Sequence, residues 1–171
     1  MREVFRGRRF KVLSGEVVLP SGMSVVRDVV DFGESVVILP KHGDSIIMIR
    51  QYRPAVGKWI YELPAGVVEE GEDPVVTAER ELVEETGYKP KRIDRLFSMY
   101  LSPGYSNEYM YSFLAWDLEY IGARPEEGEE IKVLKMGLDK VVNMIYTGEI
   151  IDAKTIATVL YYVYGKKDSL L

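Results

Sequence analysis

Glutamates at positions 81, 84 and 85 stand at i, i+3 and i+4, a spacing that puts three carboxylates on one face of a helix. A helix is expected here. Asp73 supplies an N-cap acceptor, Pro74 suits the first helical position, and Gly87 is a C-terminal stop. Val75, Val76, Ala78, Leu82 and Val83 supply its apolar residues. Three anions on one face repel each other. A hard divalent cation such as Mg²⁺, which takes oxygen ligands, turns that repulsion into binding. Clustered glutamates on their own usually form only a solvated acidic face, so the surrounding spacing has to decide.

Gly66 is followed after five residues by Glu72, and seven residues later by Arg80-Glu81-Leu82-Val83-Glu84-Glu85-Thr86-Gly87-Tyr88. This pattern resembles the box of the Nudix hydrolases, with its glycine, glutamate and arginine positions in register. Tyr88 departs from it at a packing position where the family usually carries an aliphatic residue. The resemblance implies hydrolysis of a pyrophosphate linked to a nucleoside. It implies Mg²⁺ (or Mn²⁺) held by Glu81 and Glu85 with the carbonyl of Ala65, and Glu84 as a further catalytic carboxylate. Arg80 is expected to point away from the metal face and to pair with Glu72. Gly66 also has a local reason, since a strand must turn sharply into the loop there.

Ser102-Pro103-Gly104-Tyr105-Ser106-Asn107-Glu108 is similar to a segment of the ADP-ribose pyrophosphatases within that family, with Pro103 sixteen residues beyond Gly87. By that resemblance Ser102, Pro103 and Gly104 line the ribose-phosphate pocket, and Glu108 meets substrate groups or sits near the metals. Relatives draw a base from a loop matching Glu126-Glu127-Gly128-Glu129-Glu130. Aligned on Ile131, Glu127 becomes the base and Glu129 a further metal ligand, with Glu126 and Glu130 as alternatives. Arg53, in Gln51-Tyr52-Arg53-Pro54, is a candidate for holding a phosphate, since its planar fork donates two parallel hydrogen bonds. Arg27 and Asp28 match a charged pair that touches substrate in relatives, partly across a dimer. Phe5, Phe10 or Tyr105 are candidates to stack on the base. His42 is expected to be exposed in a turn, without a chemical role. The run from Gly148 to Thr155 is expected to cap and pack the last helix.

Around these residues the pattern predicts strands at 9–18 and 23–31, joined at Pro20-Ser21-Gly22. Further strands are predicted at about 35–40, 45–51, 59–63, 93–100, 108–117 and 131–135. Leu138, Val141, Val142 and Ile145, then Ile156, Val159, Leu160 and Val163, mark two closing helices. The order implies α+β architecture, an α/β/α sandwich with a mixed sheet. The resemblance implies that residues 1–32 are an antiparallel extension used for dimerisation and substrate contacts, and residues 33–171 the catalytic domain. A length of 171 residues suits that plan.

The net charge of −5 argues against a general nucleic-acid binder. The absence of cysteine excludes disulfides, thiol nucleophiles and thiolate metal sites. No apolar run reaches membrane-spanning length, so a cytoplasmic location is expected, and the family resemblance implies a homodimer. The expected activity is Mg²⁺-dependent hydrolysis of ADP-ribose to AMP and ribose 5-phosphate. The alternatives are another nucleoside diphosphate sugar, such as a GDP-hexose, or a module that binds ADP-ribose without cleaving it.

Overall fold

The structure is a computed structural model and describes residues 1–124, 128 and 130–165. Its organising strand is β4 (Glu34–His42), whose run Val36-Val37-Ile38-Leu39 is fully buried. An uninterrupted apolar strand needs cover on both faces, and β4 has it. Val36 and Ile38 pack with Ala78 and Leu82 of α1 (Pro74–Thr86). Val37 and Leu39 pack with Val141 and Met144 of α2 (Leu138–Tyr146) and Val159 of α3 (Ala153–Tyr164). Helices therefore cover both faces of the sheet, the expected α/β/α sandwich.

The sheet runs β10 (Ile131–Gly137), β5 (Ser45–Arg53), β4, β9 (Tyr109–Tyr120), β8 (Tyr88–Tyr100). The β4–β9 pair is parallel and the others are antiparallel, so the sheet is mixed. Strands β4 and β5 pair only at their hairpin end, Lys41 with Ile46 and His42 with Ser45. Beyond it they part. β6 (Lys58–Glu62) pairs with β5, while β7 (Ala65–Val67) pairs with β4 at Ser35–Val37. The chain crosses this fork at Leu63-Pro64, next to residues that the sequence marked for chemistry.

Residues 2–31 form a separate antiparallel sheet, β1 (Arg2–Arg6), β2 (Lys11–Val18) and β3 (Ser24–Asp31). β1 was not legible in the sequence because all five of its residues are exposed, so no burial period marks it. The loop after β8 fastens this sheet to the main body. Val30 N–H donates to the Tyr105 carbonyl at 2.7 Å, and Phe32 N–H to Asn107 Oδ1 at 2.9 Å. No helix among the described residues is long and apolar enough to cross a membrane.

Helix α1 begins and ends where expected. Asp73 accepts from Val75 N–H at 2.8 Å, Pro74 follows, and Gly87 closes the helix at φ 77° with its N–H on the Val83 carbonyl. Its inner face differs from expectation. Val75 and Val76 are exposed, and Thr77, Ala78, Leu82, Glu85 and Thr86 are buried. The two threonines tolerate burial because their hydroxyls bond to Glu72 and to the Leu82 carbonyl.

Gly87 is required twice over. Its left-handed backbone disfavours a side chain, and a Cβ there would lie 2.5 Å from the Ala123 nitrogen and 2.7 Å from the Gly122 carbonyl carbon. Gly71, at φ 79°, has nothing within 4 Å of the same position. Gly71→Ala should therefore cost only the conformational penalty, about 1–2 kcal/mol. Gly87→Ala should cost clearly more, with a melting midpoint lower by a further ~4 °C or so. Thermal melts of the two variants side by side check this.

Candidate active site

Strand β7 lays its backbone against the acidic face of α1. Ala65 N–H donates to Glu85 Oε2 at 3.0 Å, and Glu85 is only 4% exposed. The N–H and C=O of a strand residue point the same way, so the Ala65 carbonyl also faces this helix. Gly66 pairs with Val36 inside β7, and its φ is not positive. The sharp-turn reason expected for this glycine is therefore wrong. A Cβ on it would sit 1.9 Å from Glu81 Cδ and 2.0 Å from Glu81 Oε1. Glycine is needed because a carboxylate lies flush on the main chain.

Arg80 also departs from expectation. It does pair with Glu72, through Nε at 3.1 Å and Nη2 at 3.0 Å. It does not point away from the acidic face, however. Nη1 donates to Glu81 Oε1 at 2.8 Å and to Glu84 Oε2 at 3.1 Å. A further Nη2 bond reaches the Val67 carbonyl at 3.3 Å. A guanidinium among these carboxylates competes with cations for them. With repulsive carboxylates one turn apart, the long arginine side chain folds over them. Its hydrogen bonds lower the Glu72 carboxyl to about 2, helped by Thr77 and the Glu69 N–H. Arg80 itself is raised above the usual arginine value, first by its hydrogen bond to Glu72 and also by Glu81.

The donors gathered here are all oxygens: three carboxylates and a carbonyl. They suit a hard divalent cation, and Arg80 shows that positive charge is already accommodated between Glu81 and Glu84. As placed, no three acidic or histidine side chains among the described residues stand close enough to hold an ion. Glu81 and Glu84 are turned onto Arg80, so binding would exchange part of that contact for the metal.

Beside this helix, in the fork of the sheet, lies a cavity of about 190 Å³. Arg53, Ala65, Gly66, Ser35, Glu108 and Lys154 contribute to its wall, together with Arg9 and Phe32 from the N-terminal side. Larger hollows of about 340 and 530 Å³ lie near Lys41 at the opposite end of β4, away from the acidic face. Glu108 lines the cavity in the fork as well. It accepts from Ser35 Oγ at 2.9 Å, and burial raises its carboxyl above the usual value, against the lowering effects of Ser35 and Lys154.

Arg53 reaches the cavity, but its fork is already engaged. Nε and Nη2 bond Glu62 Oε1 and Oε2 at 2.6 and 2.7 Å. Glu62 is fully buried and also accepts from Lys154 Nζ, which is bonded in turn to Asp152 Oδ1 at 2.9 Å. Asp152 caps α3 through Thr155, whose hydroxyl receives the Leu63 N–H at 2.8 Å. Sequence reasoning missed Glu62, Asp152 and Lys154 as members of the site. The available signal was a glutamate closing the apolar run Trp59-Ile60-Tyr61, since buried carboxylates need partners.

Burial pushes the Glu62 carboxyl up, but the hydrogen bonds from Arg53 and the charge of Lys154 outweigh it and hold it below the usual glutamate value. A carboxyl lowered on folding adds stability that is complete above its unfolded value and fades as pH falls through the folded one. Wild type should therefore lose stability more steeply than Glu62→Gln on acidification from about pH 5 to pH 3. Urea midpoints across that range measure it.

Other expected positions fall elsewhere. Ser102, Pro103 and Gly104 form the turn after β8, with Ser102 O accepting from Tyr105 and Ser106 N–H. Among the described residues the cavity takes Leu101 and Glu108 from this segment instead. Arg27 and Asp28 are exposed on β3, opposite Gly15 and Ser14, with Arg27 Nη1 on the Val26 carbonyl. His42 is half-buried rather than exposed, its ring edge-on to Tyr88 at 5.9 Å. Tyr88 also meets Tyr120 at 5.2 Å, so the departure from the box at position 88 is filled by an aromatic cluster. Glu126, Glu127 and Glu129 lie outside the described residues.

An acidic helix face is thus pressed on a glycine strand beside a cavity of mixed polar and apolar lining. The family model described as NUDIX domain matches residues 32–159, and the chain belongs to the Nudix hydrolase family. It is 34% identical over 162 residues to the ADP-ribose pyrophosphatase of Bacillus subtilis (strain 168), covering 93% of this chain and 88% of that protein. It is 37% identical over 162 residues to the methanol dehydrogenase activator of Bacillus methanolicus, with the same two shares. A solved structure described as an ADP compounds hydrolase shares the fold, with a TM-score of 0.84 at 23% identity over 95% of this chain and 89% of that one.

Proposed function

We propose that this protein hydrolyses the pyrophosphate bond of ADP-ribose, giving AMP and ribose 5-phosphate, with Mg²⁺ as its ion. The observation that carries this reading is the meeting of two unlike charge fields at β7. Carboxylates of Glu81, Glu84 and Glu85 lie against this strand, and a cavity lined by Arg53 and Lys154 adjoins it. A diphosphate needs both, cations of the protein and cations recruited by carboxylates. The relatedness to an ADP-ribose pyrophosphatase at 34% identity supports the choice of sugar nucleotide.

Glu81, Glu84, Glu85 and the Ala65 carbonyl would hold the ion, which supplies charge neutralisation and Lewis acidity to the diphosphate. Arg53, braced by Glu62, orients a phosphate with the N–H groups that Glu62 leaves over. Glu108, partly buried beside Ser35, accepts from sugar hydroxyls. Glu127 takes the proton of the attacking water. The water oxygen bonds one phosphorus, the bridging P–O bond breaks, and the bridging oxygen leaves with the other phosphate. Residues 1–32 in this reading extend the domain of residues 33–171 and pair with a second copy. Exposed Val4, Phe5, Val18, Met23 and Val26 support that pairing.

Product identification after incubation with ADP-ribose, a GDP-hexose and other sugar nucleotides in Mg²⁺ tests the proposal. AMP and ribose 5-phosphate should form, with the highest kcat/KM of the panel. A higher value for the GDP-hexose would move the substrate. Tight ADP-ribose binding without turnover would make the protein a binding module.

A further inference from the structure

Lys154 sits in the segment expected only to cap and pack, yet it lines the same cavity as Arg53. Its side chain is 12% exposed, and Glu62 and Asp152 hold it from behind. Glu62 has no exposure at all and is shared between the two cations. This is a costly arrangement for stability alone, because apolar residues of the same volume generally serve a buried site as well or better. It does accomplish one thing that apolar residues cannot, which is to fix two positive groups at a cavity wall.

The donors left over point to their use. An ammonium carries three N–H groups and a guanidinium five. Lys154 uses donors on Glu62 and Asp152, and Arg53 uses Nε and one Nη2 donor on Glu62. Among the described residues Lys154 thus retains a donor, and Arg53 retains both at Nη1. Asp152 and Glu62 balance the two cations in charge, so the pair is stable without ligand and ready to receive an anion.

We propose that Lys154 is a second contact for the substrate's phosphates, set beside Arg53 by Glu62 and Asp152 so that the diphosphate meets a two-cation clamp of the protein itself. The proposal rests on the diphosphate substrate class put forward above, but not on which sugar or base is attached. Lys154 acts on affinity rather than on the bond-breaking step, since Glu62 and Asp152 already hold its ammonium in place.

The test uses the full chain with Lys154→Met, Lys154→Gln and Lys154→Arg. Binding of a non-cleavable methylene-bridged ADP-ribose analogue is measured by calorimetry in Mg²⁺, alongside kcat, KM and melting midpoints. Loss of one charge-assisted contact should weaken analogue binding at least about tenfold in the Met and Gln variants. KM should rise in parallel while kcat changes by less than about threefold. Arginine should restore most of the affinity, because it keeps the charge. Unchanged affinity in Lys154→Met, or a lower melting midpoint with KM unmoved, would overturn the clamp and leave Lys154 a structural ion-pair partner. If Lys154→Met does not fold, Lys154→Gln is read by the same criteria. Wild type that binds the analogue but does not cleave ADP-ribose would sink the proposed activity, while the variant affinities would still decide the clamp. Wild type that binds no analogue would remove both.

Discussion

Glu85→Gln should fold like wild type and lose nearly all turnover. Glu85 is 4% exposed, and its carboxylate accepts the Ala65 N–H at 3.0 Å. Glutamine has nearly the same volume and keeps a carbonyl oxygen for that bond, so packing and the hydrogen bond both survive. What disappears is a negative charge from a set of oxygen donors suited to a divalent cation. Lewis-acid stabilisation of a phosphoryl transition state is worth several kcal/mol, so kcat should fall by roughly 10³-fold or more. The measurement is kcat at saturating Mg²⁺, with a melting midpoint within a few degrees of wild type. Wild-type turnover in this variant would end the metal assignment for α1.

Gly66→Ala should do to function what its small size would not suggest. The added methyl would lie 1.9 Å from Glu81 Cδ and 2.5 Å from Glu81 Cγ. The obstacle is a side chain able to rotate, and the backbone at Gly66 does not have a positive φ. The strand should therefore persist, at a cost of about 1 kcal/mol. Glu81 must leave its place against β7, and misplacing such a group by about 1 Å can cost ~10²-fold in rate. The expected result is a folded protein with kcat down about a hundredfold and weaker Mg²⁺ dependence. An alanine variant with near-normal kcat would show that the position of the Glu81 carboxylate does not matter to the reaction.

These two variants also separate kinds of information. Glu85 could be singled out from spacing, because the helical period alone places it with Glu81. The reason for Gly66 could not. Local reasoning offered a turn, and the cause is a contact with a residue fifteen positions away. Arg80 repeats the lesson. Its pairing with Glu72 followed from the box, but its grip on Glu81 and Glu84 depends on where an arginine side chain finds unbalanced charge after folding.

Every strand of the main sheet except β7, the helix ends at Asp73 and Gly87, and the sandwich itself were written into the chain. Periodicity, caps and turn residues act over a few positions, and burial on two faces leaves an unbroken apolar run such as Val36 to Leu39. The fork between β4 and β5 was decided only in three dimensions, as were the burial of Glu62 and the meeting of Arg53 with Lys154, about a hundred residues apart. A buried charge is stable only where its partner arrives, and partners brought together by tertiary packing leave no period and no spacing in the sequence that encodes them.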